Sequence, residues 1–244
     1  MDKKIKISVI IPCYRSEKYL EETVEEILQS FQKHGEFVPE LILVDDHSPD
    51  GTAAVVEKLG DRPGITAVCL TENLGQARAK LQGVSCASGD AAVFMDDDGQ
   101  HDPEGIFLLL DKLDLRSFSS GRNGLHLVYA QFPKKKESLQ RRAARFLTNL
   151  VLCVTTGKPG KLVITSFFAV DREALDALRE YRSEKPFTGA YVWHCFGKKS
   201  VAGIRIPHRN REYGSSTYSL KKLIRTFWNL NTSMLEIRRY PRRY

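Results

Sequence analysis

The chain has 244 residues and a formal net charge of +7, with 42% hydrophobic and 27% charged residues, which is enough for one large α/β domain or one domain with a small appendage. Its five cysteines form no CxxC pair and are odd in number, which argues against a disulfide framework or a zinc knuckle and favours a reducing, cytoplasmic compartment. No signal peptide is recognisable and no uncharged apolar stretch reaches the roughly 18 residues of a spanning helix, so we expect no integral membrane segment.

The first 115 residues alternate strand and helix patterns. The predicted elements are, in chain order, strand 7–11, a helix near 17–33, strand 41–44, a helix near 51–59, strand 65–70, a helix near 75–87, strand 91–95 and a helix beginning near Pro103. This order predicts an α/β fold with a mostly parallel sheet and right-handed crossovers. A further strand is predicted at 127–130.

Two predicted strands run directly into carboxylates. Strand 91–95 is followed by Asp96, Asp97 and Asp98, and strand 41–44 is followed by Asp45 and Asp46. Ligands of open α/β sheets bind beyond the carboxyl ends of the strands, so we expect both acidic loops and the loop after the first strand to share one crevice. Adjacent carboxylates persist where a cation or solvent neutralises them, and Mg²⁺ or Mn²⁺ suits such oxygen ligands beside a substrate's phosphates. The alternative is a solvated acidic turn.

Two common nucleotide-binding patterns are missing from the sequence. No GxGxxG follows the first strand, and there is no Walker loop. A bound nucleotide would therefore be held mainly by acids, a metal and loop backbone.

Charge is divided unevenly along the chain. Residues 1–115 carry 11 Lys and Arg against 22 Asp and Glu, whereas residues 116–244 carry 26 against 8. The basic half could face nucleic acid, anionic lipid or a phosphorylated acceptor. No RNP, zinc-finger or helix-turn-helix pattern is present, and the acidic half would repel a phosphate backbone, so we expect no nucleic-acid partner.

Two basic segments have amphipathic patterns. One lies between Lys134 and Val154, and the other combines the apolar stripe from Leu220 to Leu235 with the basic tail 238–244. Either could lie on an anionic membrane surface, and either could instead be a helix packed on the core.

Five segments in order, 9–14, 44–52, 73–76, 95–104 and 211–219, resemble a family 2 glycosyltransferase of the GT-A fold. The resemblance is closer to the polyprenyl-phosphate glycosyltransferases related to dolichol-phosphate mannose synthase, and it runs from Ser8 to about Leu235. It implies an inverting, metal-dependent displacement at the anomeric carbon of a nucleotide sugar. The site residues that it implies are Asp96 and Asp98 as catalytic DXD residues, Asp96, Asp98 and Gln100 as metal ligands, Pro12, Tyr14, Glu17, Asp46 and Asp97 for the nucleotide, and Arg209, Arg211, Ser216 and Tyr218 for acceptor and phosphate.

The sequence departs from its relatives at two positions. Several relatives carry Asp and Arg where this chain has Ser166 and Phe168. Arg172, Arg209 and Arg211 are the candidates for the missing cation, and His194 and Glu184 are the candidates for the base, although a lone His beside an aromatic residue is more often structural.

These observations predict a GT-A domain over 1–215 and an amphipathic basic segment over 216–244. Within the domain, 1–115 would bind the nucleotide sugar and metal, and 116–215 the acceptor. The predicted enzyme moves a sugar from a UDP- or GDP-sugar to polyprenyl phosphate or another anionic lipid, as a peripheral protein on the cytoplasmic face of the membrane. The alternatives are transfer to a hydroxyl of a surface polysaccharide or lipid, and a catalytically silent relative that binds nucleotide sugars.

Overall fold

The computed structural model describes residues 4–115, 124–133, 162–207 and 232–243, together with single positions 153, 158 and 160. Its elements are β1 (Ile5–Cys13), α1 (Leu20–Lys33), β2 (Phe37–Asp45), α2 (Thr52–Gly60), β3 (Ile65–Cys69), α3 (Gln76–Cys86), β4 (Ala91–Phe94), α4 (Glu104–Leu113), β5 (Leu127–Gln131), β6 (Phe168–Asp171), α5 (Arg172–Glu180), α6 (Thr188–Phe196), a 3₁₀ turn (Lys198–Ser200), β7 (Val201–Arg205) and a helical segment over 232–237.

The strands form one sheet in the order β3-β2-β1-β4-β6-β5-β7. Strands β1 to β4 pair in parallel, and β6 runs antiparallel to both of its neighbours, β4 and β5. Strand β7 pairs in parallel with β5. The mostly parallel sheet predicted from the sequence is therefore confirmed, while β6 and β7 are additions to it.

Alternate residues of the central strands face opposite layers of helices, as the two-residue period of a strand requires. On β1, Val9 and Ile11 pack with α1, α2 and α4, whereas Ile10 packs with α3, α5 and α6. Helix α3 comes close to the sheet at Gly83, where an added Cβ would lie 2.5 Å from a methyl group of Ile10. Only glycine allows this approach, which places the start of α3 beside the edge described next.

The direction of β6 decides what reaches the carboxyl edge of the sheet. Phe168 is in register with Phe94, at the end of β4, and Asp171 is in register with Ala91, at its start. The segment that precedes β6, including Ser166, therefore lies at the edge where the acidic loops follow β2 and β4.

The C-terminal segment packs against α5 and α6. Ile237 is fully buried, and the ring of Tyr240 lies edge-on to Tyr181 and Tyr191, with centroid separations of 5.6 and 5.1 Å. The backbone N–H of Arg243 donates to the carbonyl of Cys195 at 2.7 Å. Over 232–243 the chain is thus docked on the core, which was one of the two interpretations of its sequence.

Several sequence predictions fall outside the described residues. They are the basic amphipathic segment between Lys134 and Val154, apart from Cys153, and most of the stripe that begins at Leu220. Among the parts of the chain that the structure describes, no helix is long and apolar enough to cross a membrane. None of the five cysteines is in a disulfide.

A partly buried carboxylate joins three segments at the opposite edge of the sheet. Glu40 on β2 accepts hydrogen bonds from the hydroxyls of Ser8 and Ser88, both at 2.6 Å, and pairs with Lys6 at 2.6 Å. Burial alone would raise the pKa of Glu40, but the hydrogen bonds from Lys6, Ser8 and Ser88 lower it to about 2. The ionised form of Glu40 therefore stabilises the start of β1 and the turn before β4.

We expect Glu40→Gln to lower the free energy of unfolding by about 2 kcal/mol near neutral pH. Because the folded pKa is depressed, this stabilisation is present above the ordinary pKa of a glutamate and is lost as the pH falls towards about 2. Urea unfolding of both proteins at several pH values measures the difference, with the exposed Glu57→Gln as the control. A difference that stays constant between pH 7 and pH 3 would contradict this account.

Candidate active site

The loop after β1 is held against both acidic runs by its backbone. The N–H of Tyr14 donates to the carboxylate of Asp97 at 3.0 Å, and the N–H of Ser16 donates to the hydroxyl of Thr52 at 2.9 Å. Glu17 accepts from the N–H of Gly51 at 3.1 Å. The loops after β1, β2 and β4 therefore converge, as the two acidic signals predicted.

Asp46 lies at the end of β2 and holds the loop that leads into α3. One of its carboxylate oxygens accepts from the N–H of Leu74 at 2.7 Å, and the other accepts from the N–H of Gly75 at 2.9 Å. Asn73 closes the same contact by donating its side-chain amide to the carbonyl of Asp46 at 2.9 Å. Asp46 is only 4% exposed. Its carboxylate thus has a structural task in fixing residues 73–75.

Asp96 is surrounded by hydrogen-bond donors from distant segments. Its Oδ1 accepts from the amide of Gln76 at 2.6 Å and lies 3.8 Å from the ammonium of Lys80, both on α3. Its Oδ2 accepts from the hydroxyl of Ser166. Because Gln76 and Lys80 are four residues apart on one face of the helix, both can reach the same carboxylate.

His101 fixes the backbone of the acidic run. Its ring lies between Phe167 and Phe132, nearly parallel to both, with centroid separations of 4.7 and 5.6 Å. The Nδ1 atom accepts from the backbone N–H of Asp96 at 3.1 Å, so Nδ1 carries no proton there. His101 is buried and fixes the position of Asp96 through this backbone hydrogen bond.

Asp98 and Gln100 form the more open part of the acidic run. Both are partly exposed, and the backbone N–H of Gln100 donates to Asp98 at 3.2 Å, while the Gln100 side chain also contacts its carboxylate. Within the described ranges, no three His, Cys, Asp or Glu side chains are grouped as a ready-made metal site. The oxygen donors of Asp96, Asp98 and Gln100 nevertheless fit a hard divalent cation that takes its remaining ligands from phosphates and water.

Burial at this edge, together with the neighbouring charges, shifts the pKa values of several groups. Burial and the neighbouring Asp96 raise the pKa of Asp97 to about 6. Burial likewise raises the pKa of Asp46, and burial together with Asp97 and Asp98 raises the pKa of Tyr19 to about 12. Burial lowers the pKa of Lys80, and Asp96 opposes that shift. The edge thus combines partly or fully buried carboxyl groups with the buried ammonium of Lys80, and groups with perturbed pKa values are common at functional sites.

The nucleotide residues predicted from the sequence differ in accessibility. Pro12 is buried at the end of β1, whereas Tyr14 is 43% exposed, with the guanidinium of Arg15 5.5 Å from its ring centroid. Glu17 is also exposed. The predicted acceptor residues Arg209, Arg211, Ser216 and Tyr218 lie outside the described residues.

Arg172 cannot replace the arginine that several relatives carry at position 168. The guanidinium of Arg172 donates to the carbonyls of Ser88 and Gly89, each at 3.1 Å, and those residues precede β4. Arg172 therefore lies at the edge of the sheet opposite Asp96, because β6 runs antiparallel to β4. The suggestion that it replaces the missing cation was wrong.

The two candidate bases have other partners. His194 contacts the carbonyl of Tyr240 through Nε2 at 3.0 Å, and a carbonyl only accepts, so this nitrogen carries the proton. Glu184 is 78% exposed and pairs with Arg78 at 2.8 Å. His194 is thus part of the docking of the C-terminal segment.

The sequence interpretation missed Gln76, Lys80 and His101 as site residues. Gln76 and His101 lie inside segments that carry the family resemblance, but their partner Asp96 was interpreted as a catalytic residue and metal ligand and not as an acceptor of hydrogen bonds from the protein. Lys80 could have been identified from its position four residues after Gln76, which places both side chains on one face of α3.

The chain is similar in sequence to known proteins. The model of the family "Glycosyl transferase family 2" matches residues 8–177. The undecaprenyl-phosphate 4-deoxy-4-formamido-L-arabinose transferase of Enterobacter sp. strain 638 is 30% identical over 231 residues, which cover 94% of this chain and 67% of the relative. The enzyme of the same name from Proteus mirabilis is 29% identical over 235 residues, covering 96% and 69%.

Solved structures share the fold at lower identity. Glucosyl-3-phosphoglycerate synthase of M. tuberculosis superposes with a TM-score of 0.68 at 20% identity, covering 97% of this chain and 82% of that one. The same enzyme in complex with Mn²⁺ and UDP-glucose gives 0.67 at 21% identity, covering 97% and 80%. Mannosyl-3-phosphoglycerate synthase of Rubrobacter xylanophilus gives 0.67 at 18% identity, covering 94% and 73%.

The sheet order, the carboxylates that follow β2 and β4, and the match over most of the chain agree on one assignment. The fold is GT-A, as predicted. The protein belongs to glycosyl transferase family 2 and is a glycosyltransferase.

Proposed function

We propose that the protein transfers a sugar from a UDP- or GDP-sugar to a polyprenyl phosphate, with inversion at the anomeric carbon and with the aid of Mg²⁺ or Mn²⁺. The observation that supports this most directly is the edge where the acidic run 96–98 meets the loop after β1 through Asp97 and helix α3 through Asp96. The two relatives named above are transferases whose names include undecaprenyl phosphate, which supports a lipid-phosphate acceptor.

In this proposal the loop from Pro12 to Glu17 binds the base and ribose. The exposed ring of Tyr14 is accessible for stacking on a base, and Asp97 fixes the backbone beneath it. Asp46 acts beside them by holding residues 73–75 in place, and its oxygens keep unused lone pairs for a base N–H.

Asp98 and Asp96, with Gln100, would hold the divalent ion. When bound, such an ion neutralises the charge that develops on a nucleoside diphosphate leaving group. The protein's own contribution is to keep Asp96 oriented through Gln76 and Ser166 and to keep Asp97 against the donor loop.

The residues near Asp96 favour a phosphate acceptor over a hydroxyl. A hydroxyl needs a general base within hydrogen-bond reach, whereas a phosphate monoester is already ionised near neutral pH. Ser166 stands where several relatives carry Asp, and its hydroxyl donates to Asp96. Nε2 of His194 is already used as a donor to Tyr240. We propose that Arg209, Arg211, Ser216 and Tyr218 contact the acceptor phosphate.

The acceptor also implies where the enzyme works. A polyprenyl chain remains in the bilayer, so its phosphate is presented at the membrane surface. We therefore propose a peripheral enzyme on the cytoplasmic face, held there by its basic C-terminal half.

The proposal is tested by a matrix of donors and acceptors. UDP- and GDP-sugars are incubated with Mn²⁺ or Mg²⁺ and with a short-chain polyprenyl phosphate, the corresponding polyprenol, 3-phosphoglycerate or no acceptor, and released nucleotide is measured. The polyprenol is the matched control, because it differs from the proposed acceptor only in the phosphate. Release that depends on polyprenyl phosphate supports the proposal and names the donor.

Other results would redirect the assignment. Release that depends equally on the polyprenol indicates a hydroxyl acceptor, and release with 3-phosphoglycerate alone indicates a soluble acceptor. Nucleotide binding without release under any condition indicates a catalytically silent relative.

We expect Asp98→Asn to leave the fold intact and to remove the metal-dependent part of nucleotide binding. The amide keeps the shape of the side chain but loses the negative charge that attracts a divalent ion. Calorimetric titration of UDP and GDP with Mn²⁺ measures the effect, and Asp61→Asn, at an exposed position after α2, is the charge-matched control. Retained metal-dependent affinity would refute the role of Asp98 as a ligand.

We expect Asp46→Asn to loosen residues 73–75 and to lower the free energy of unfolding by about 1–3 kcal/mol. An asparagine carbonyl can replace one of the two carboxylate oxygens, so one N–H of Leu74 or Gly75 would face an amide NH₂. Amide hydrogen exchange at Leu74 and Gly75 should accelerate more than exchange in β3. Exchange at the wild-type rate would show that the carboxylate does not hold this loop.

A further inference from the structure

Lys80 is a buried cation inside the acidic edge. It lies on α3, is 6% exposed, and donates to the backbone carbonyl of Ser166 at 3.1 Å. Its ammonium is 3.8 Å from Oδ1 of Asp96. Taking an ammonium group out of water is unfavourable unless nearby charge compensates it. The compensating charge here is the carboxylate run itself.

The position of Lys80 is unusual for its helix face. The neighbouring residues Ala79, Gly83 and Val84 are buried in the core between α3 and the sheet. A leucine or methionine would fill the same space without the cost of desolvation. A lysine there is useful if a positive charge is needed at the end of β4.

The environment of Phe168 also indicates that Lys80 supplies the positive charge at this edge. Its ring stacks on Phe94 with a centroid separation of 4.5 Å, and the ammonium of Lys80 lies 5.5 Å from its centroid. Position 168 therefore supplies no charge, while α3 brings a cation over the same ring. The ring face favours a nearby cation and helps to hold it.

We propose that Lys80 is a positioning residue that serves as a built-in counter-ion of the acidic run. Its charge keeps Asp96 oriented beside Gln76 and Ser166, and it shares with the divalent cation the task of balancing the negative charge of a bound nucleoside diphosphate. This inference rests on the proposed function, because it requires that a nucleoside diphosphate binds at this edge.

A shared task has a measurable consequence. If Lys80 supplies part of the positive charge, the protein retains some nucleotide affinity when the metal is removed. Loss of the lysine charge should then weaken metal-free binding more than metal-supported binding. If Lys80 only fills space, its substitution should weaken metal-free and metal-supported binding to the same extent, or weaken neither.

The test compares two substitutions with wild type. Lys80→Met removes both the charge and the hydrogen bond to Ser166 and keeps the length of the side chain. Lys80→Gln removes the charge but keeps a donor for the Ser166 carbonyl, so it separates charge from hydrogen bonding and retains a polar group if the methionine variant does not fold. Lys58→Met is the control for loss of one positive charge, since Lys58 is a 73% exposed residue on α2 that pairs with Glu21.

Binding of UDP and GDP is measured by calorimetry, once with Mn²⁺ and once with EDTA, and the readout is the ratio of the two dissociation constants. We expect Lys80→Met and Lys80→Gln each to raise the ratio of the metal-free to the metal-bound constant by about tenfold, the size of one partly buried charge interaction. Lys58→Met should leave the ratio unchanged.

The outcomes separate the inference from the function on which it rests. A wild-type protein that binds neither UDP nor GDP overturns both. Wild-type binding only in the presence of metal, or a ratio that Lys80→Gln leaves unchanged, overturns the role of Lys80 and leaves the proposed function standing.

Discussion

Negative charge at the carboxyl edge of the sheet is the constraint on which the rest of the site depends. Strand β2 ends at Asp45, the acidic run 96–98 follows β4 closely, and the two ends are brought together because each strand pairs in parallel with β1. Groups of like charge at this spacing are tolerated only when donors reach them. Three of these carboxylates are accordingly bonded to different segments: Asp97 to the loop after β1, Asp46 to residues 73–75, and Asp96 to α3 and the segment before β6.

Helix α3 is the common partner of both acidic runs. The loop before it donates two backbone N–H groups to Asp46, its first residue Gln76 and then Lys80 reach Asp96, and Gly83 lets the helix lie close to β1. The positive end of the helix dipole adds to this compensation. Movement of α3 would therefore alter the contacts of Asp46 and Asp96 together, which couples the proposed nucleotide loop to the proposed metal ligands.

The sequence predicted the first half of the fold well because its elements are regular and local. Strands β1, β2 and β4 contain the continuous apolar runs 9–13, 41–44 and 91–94, and helix α1 has a clear 3.6-residue period, so the existence and order of these elements followed from pattern alone. Strand β6 has four residues, and nothing local indicates that it runs antiparallel. That direction brings Ser166 to Asp96 and takes Arg172 to the opposite edge. The contact between Lys80 and Ser166 could not be predicted either, because Ser166 lies 86 positions further along the chain.

The same chain of contacts bears on the chemistry of the acceptor. A carboxylate at position 166 would face Asp96 and add to the repulsion at this edge, whereas the Ser166 hydroxyl donates to Asp96 and its carbonyl accepts from Lys80. The segment before β6 thus contributes a hydrogen-bond donor and a contact with a cation where a general base would otherwise stand. An acceptor that brings its own negative charge needs no proton removed, and it meets at this edge a site whose charge is already balanced in part by the protein. These contacts are the physical basis for proposing a phosphate acceptor rather than a hydroxyl acceptor.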